Sequence, residues 1–158
     1  MDPTAPAVAP SLPVPADERP QLVIDTQVVM DWLVFRDPRV ERLTHALTAG
    51  SLRWLVAPAM LDELWHVLGR GVAAAYGPDR AHIESQFAAH ALWVDNPPPQ
   101  ALAGRLVCRD PDDQKFIDLA VAHRVRWLIS RDKAVLALAK RARAIGIQIV
   151  TPDRWAAE

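Results

Sequence analysis

Three aspartates, Asp110, Asp112 and Asp113, stand among four residues in the stretch RDPDDQKFIDLA. Other acids sit where apolar runs end: Asp25 closes LVID, and Asp132 follows WLIS by one residue. Glu63 lies within PAMLDELWHVLG. Carboxylates brought together repel; at ~4 Å each pair costs roughly 4 kcal/mol at an effective dielectric of 20. A divalent cation removes that cost, and all-oxygen ligands select a hard one such as Mg²⁺ or Mn²⁺. A cation held this way activates water and neutralises charge on a phosphate.

Each acid also has a plainer role. Asp25 and Asp132 both fit the cap of a following helix. Asp110-Pro111 fits an N-cap followed by the favoured first helical position for proline, with Asp113 two residues beyond Pro111 as a capping-box acid. Yet Asp113 shares a helical face with Phe116, Ile117 and Ala120, which must meet the core, whereas Asp112 lies roughly 80° away. A charge aimed at a core requires a partner. Glu63 lies on the flank of the face formed by Met60, Leu61, Leu64 and Leu68, and taken alone it reads as a solvated helix residue.

The elements that must place these acids follow from the apolar pattern. Strands are expected at 22–25, 53–57, 125–130 and 147–151. Helices are expected at 26–35, 38–50, 58–71, 110–124 and 132–146, and another at 78–94 that runs into a short strand at its end. Pro38 and Pro58 open two of the helices, and Gly50 and Gly71 close them. Strands alternating with helices give an α/β fold with a parallel sheet covered on both faces. Ligand chemistry in such sheets collects at the carboxyl ends of the strands, where Asp25 and Asp132 emerge.

The chain of 158 residues suits one domain, and its 51% apolar content supports a packed core. Residues 1–20 carry six prolines among small residues and read as a disordered Pro/Ala-rich tail, leaving 21–158 as the domain. A net charge of −1 argues against nucleic-acid binding by bulk charge alone, though not against a local basic patch. Cys108 is the single cysteine, which excludes an intrachain disulfide and points to a reducing cytoplasm. The five histidines show no zinc-ligand spacing, and no apolar run is long enough to span a membrane.

Four stretches in order, VIDTQVV, APAMLDEL, DPDDQKFIDLA and WLISRDKAVL, resemble the acidic motifs of the PIN domain family. The likeness runs from about Leu22 to Trp155 and is nearest to the toxin components of bacterial toxin–antitoxin systems (VapC-like ribonucleases). It implies a three-layer α/β/α sandwich and a metal-dependent ribonuclease. Asp25, Glu63, Asp113 and Asp132 match the family's four acids and are the expected catalytic and Mg²⁺- or Mn²⁺-binding residues. Ser130 matches the small hydroxyl residue two before the fourth acid. Thr26, Gln27 and Ser130 are expected to support the ligands from behind. The family usually has Asn where this chain has Gln27, one methylene longer.

The resemblance further implies an RNA substrate and a cognate antitoxin protein, with a homodimer compatible and no membrane. Arg131 and Lys133 flank Asp132 and are the expected phosphate contacts. The alternative is a non-catalytic PIN-like module that binds RNA or protein. A haloacid-dehalogenase-like phosphatase fits less well, because DTQ lacks that class's second Asp. A Rossmann nucleotide binder lacks its glycine-rich loop.

Overall fold

The computed structural model describes residues 17–157. Most of the expected tail, residues 1–16, lies outside the described residues. The described chain is already tied to the domain at its start. Arg53 pairs with Asp17 at 3.3 Å, and Arg19 donates to the Gly50 carbonyl at 3.2 Å.

Five strands form one parallel sheet: β1 (Gln21–Ile24), β2 (Arg53–Val56), β3 (Ala91–Trp93), β4 (Trp127–Ile129) and β5 (Gln148–Val150), in the order β3-β2-β1-β4-β5. The three central strands are short runs of β-branched, leucine and tryptophan residues, the composition of strands buried on both faces. Parallel neighbours cannot be joined by hairpins, so helices make the crossovers. These are α1 (Thr26–Leu33), α2 (Glu41–Thr48), α3 (Pro58–Gly69), α4 (Arg80–His90), α5 (Gln114–His123), α6 (Lys133–Leu136) and α7 (Ala139–Arg143).

The register aligns Trp54, Leu22 and Trp127 across β2, β1 and β4. All three are buried, and each indole gains aromatic neighbours: Trp32 and Phe87 beside Trp54, and Trp155 edge-on to Trp127 at 5.4 Å. Two residues further along, Ile24 pairs with Ile129 and Ile129 with Val150. The next residues, Asp25 and Ser130, are therefore set side by side where β1 and β4 end. This is the point at which strand order reverses, the usual place for a ligand crevice in an open α/β sheet.

The expected elements are present with shifted bounds. The stretch 78–94 is α4 followed directly by β3, as its apolar end suggested. The stretch 38–50 opens with a 3₁₀ turn, Pro38–Val40, capped by Asp37, before α2 begins. The helix expected over 132–146 is two short ones, with the break at Ala137 and Leu138. There the Leu138 N–H bonds the Val135 carbonyl, a tighter turn than the α-helix, and Leu138 and Ala142 stay buried beside Val135.

Candidate metal centre

Asp25 begins α1 as its N-cap. Its Oδ1 accepts from the Val28 N–H at 3.0 Å, and its Oδ2 accepts from the Ser130 hydroxyl. The residue is 1% exposed. Burial pushes its carboxyl up to about 6, against the opposing pull of those two hydrogen bonds; Asp132 and Asp31 add repulsion. The same Ser130 oxygen accepts from the Asp132 N–H at 3.0 Å, so one hydroxyl joins the two strand ends. Asp132 caps α6 through a 2.7 Å bond from the Ala134 N–H. Both acids thus cap helices; Asp132 also has an oxygen in an acidic cluster with Asp110 and Asp113, whereas Asp25 lies outside that cluster with both its oxygens bonded within the protein.

The DPDD stretch divides its aspartates. Asp110 caps the 3₁₀ turn Pro111–Asp113, accepting from the Asp112 N–H at 2.9 Å. Asp112 is exposed. Asp113 leads directly into α5, whose Phe116, Ile117 and Ala120 are buried. It makes no capping bond, and its Oδ2 is buried without a hydrogen-bond partner. Burial first, then the carboxylates of Asp132, Asp110, Asp25 and Glu63, push Asp113 up to about 7.

One carboxylate oxygen each from Asp110, Asp113 and Asp132 lies within 4.8 Å of the others. Three oxygens converging there, in a cluster that includes the residue with the buried, unsatisfied Oδ2, suit a hard divalent cation. Asp110 joins this cluster although its sequence neighbours suggested a cap alone; Pro111 after it made the capping role look sufficient.

The loop that delivers Asp110 is fixed by amides. Gln114 accepts from the Cys108 N–H at 2.7 Å and donates to the Leu106 carbonyl at 2.9 Å. Gln100 and Gln114 both donate to Asp118, at 2.7 and 3.0 Å. Nothing in the spacing of Gln100 and Asp118 signals this network before the fold closes.

Glu63 lies in α3, within reach of the crevice, and both its oxygens are engaged. Oε2 accepts from the Thr26 hydroxyl at 2.7 Å, and Oε1 pairs with the Lys115 ammonium. Thr26 therefore supports Glu63 from α1, beside Asp25. Lys115, which the sequence reading passed over, stands two residues past Asp113.

Gln27 and Arg131 meet a residue that the sequence reading also missed. Asp31 is 2% exposed in the apolar stretch of α1. Arg131 grips it with Nε to Oδ2 at 2.7 Å and Nη2 to Oδ1 at 3.0 Å, and the Gln27 amide adds a 3.1 Å bond. The hydrogen bond to Asp31 holds the Arg131 guanidinium above its usual pKa range. Gln27 thus supports Asp31 one helical turn on, and Arg131 faces a carboxylate. Lys133 is exposed at the first turn of α6. A lone acid between Met30 and Trp32 was the available signal for Asp31.

A family model described as PIN domain matches residues 21–134. No curated protein matches the chain significantly. Among solved structures, a chain of VapBC2 from Rickettsia felis, crystallised bound to a DNA fragment from their promoter, has the same fold. Its TM-score is 0.52 at 12% identity, over 82% of this chain and 98% of that one. The family match spans β1 to the start of α6 and holds every acid from Asp25 to Asp132, so the chain belongs to the PIN domain family.

Proposed function

We propose that this protein is a metal-dependent endoribonuclease, the toxin of a toxin–antitoxin pair. The observation that carries the reading is the buried, unpartnered Oδ2 of Asp113 beside the carboxylates of Asp110 and Asp132. These three residues would hold Mg²⁺ or Mn²⁺, with Asp25 immediately behind them. Bound there, the cation would lower the pKa of a water and offset charge on the phosphate.

The remaining groups prepare that site. Ser130 ties Asp25 to the Asp132 backbone, fixing two acids from different strands. Arg131, anchored on Asp31, fixes the chain immediately before Asp132. Lys133 is exposed at the rim and is the proposed contact for RNA phosphate. Hydrolysis would place a water oxygen on phosphorus and break one of the two phosphorus–sugar oxygen bonds, the departing oxygen leaving as a hydroxyl with a proton from the water.

Family membership and the fold shared with a VapBC2 chain support the toxin assignment and a separately encoded protein partner. Among the described residues no helix is long and apolar enough to cross a membrane; the compartment proposed for the toxin is the cytoplasm. The test is cleavage of a labelled single-stranded RNA with Mn²⁺, Mg²⁺ or EDTA, comparing wild type with Asp113→Asn. Metal-dependent cleavage lost in the variant supports the reading. RNA binding without cleavage under every metal condition makes the chain the non-catalytic module.

A further inference from the structure

Glu63 and Asp113 differ in a way that family membership does not anticipate. Asp113 has a buried oxygen with no partner. Glu63 has both oxygens satisfied by protein, one by the Thr26 hydroxyl and one by the Lys115 ammonium. Lys115 is itself held at a second point, donating to the Asp112 carbonyl at 2.6 Å. Its side chain is only 27% exposed and that of Glu63 19%, so the pair is partly shielded from water.

We propose that Lys115 is a built-in cation of this site, locked by Glu63 and taking the place of a second divalent ion. The inference rests on the metal-dependent reading above. A metal ion can reach Glu63 only by displacing an ammonium already in contact with it. The chain therefore binds one ion, at Asp110, Asp113 and Asp132, and Glu63 anchors the lysine rather than the metal. An ammonium has three N–H donors. Two point to Glu63 and the Asp112 carbonyl; the ammonium also lies 5.5 Å from the centroid of the Phe116 ring, and its third N–H would go to a phosphate oxygen of the substrate.

The test counts Mn²⁺ bound to the full chain, by calorimetry and by the paramagnetic resonance signal of free Mn²⁺. Wild type should bind one ion, and Lys115→Met, which frees Glu63 and the carbonyl, should bind two. Glu63→Gln, which keeps the lysine and a similar shape, should still bind one. Two ions on wild type, or one on Lys115→Met, overturns the inference and leaves the metal-dependent reading intact. Loss of the single ion in Glu63→Gln makes Glu63 a ligand and likewise overturns it. No ion on wild type overturns the metal-dependent reading itself, and this inference with it.

Discussion

Replacing Asp113 with Asn should make the metal-free protein more stable. One oxygen each of Asp110, Asp113 and Asp132 lies within 4.8 Å of the others, so Asp113 takes part in two of the three repulsive pairs. At that separation a pair costs ~3.5 kcal/mol at a dielectric of 20 and ~0.9 kcal/mol in bulk water. Asp113 and Asp132 are partly open to solvent, which favours the lower end. A gain of about 2 kcal/mol at pH 8 is expected, or a melting temperature ~4–8 °C higher for a domain of this size.

The pH dependence has a definite sign. The Asp113 carboxyl is raised from 3.8 to about 7 in the fold. A raised carboxyl contributes stability that is complete below its unfolded pKa and is lost as pH rises through the folded one. Asp25, raised to about 6, acts in the same direction. Metal-free wild type should therefore melt lower at pH 8 than at pH 5, and Asp113→Asn should show a shallower fall. The assay is a set of thermal melts in EDTA from pH 5 to 8, repeated with Mn²⁺. Saturating Mn²⁺, at about 100 times its dissociation constant, should add ~2.7 kcal/mol to wild type and little to the variant. A variant that melts at or below wild type in EDTA at pH 8, or that keeps the full Mn²⁺ shift, refutes the reasoning.

Asp132→Asn keeps an oxygen to accept from the Ala134 N–H and, like Asp113→Asn, removes two of the three repulsive pairs, so the metal-free protein should be at least as stable as wild type while RNA cleavage falls by orders of magnitude; an active variant would reduce Asp132 to a cap. Asp110→Ala loses about 1 kcal/mol of cap against the repulsion it relieves, so it should stabilise the metal-free protein less than Asp113→Asn does, and it should weaken Mn²⁺ binding in calorimetry, whereas a pure cap would leave Mn²⁺ affinity unchanged. Asp31→Ala leaves Arg131 and Gln27 without their shared partner and should cost about 2–3 kcal/mol, less than a fully buried pair because Arg131 is 28% exposed. A urea midpoint equal to wild type would show that pair to be idle.

The parts of the site visible in sequence were those with a local signature. Asp25 and Asp132 stand where apolar strands end, and the face shared with Phe116 and Ile117 turns Asp113 inward. What the sequence concealed depends on contacts between distant segments. Lys115 meets Glu63 across 52 residues, and Arg131 meets Asp31 across 100. Neither spacing has a helical or strand period to betray it. Arg131 looked free for phosphate because its neighbour in sequence is Asp132, but its neighbour in space is a buried carboxylate. The break within 132–146 was also illegible, since no glycine or proline marks it.

The Ser130 hydroxyl that joins the ends of β1 and β4 makes the acids unequal in how they can be lost. Asp25 caps a helix and fastens a strand junction, so a chance substitution there damages folding together with chemistry. Asp113 makes no capping bond, and its charge is repelled by the neighbouring carboxylates. A lineage drifting toward an inactive, binding-only descendant therefore has an easy first step at Asp113 and a hard one at Asp25. Retention of the first acid in such a descendant would record its mechanical duty and would be no sign that catalysis survives.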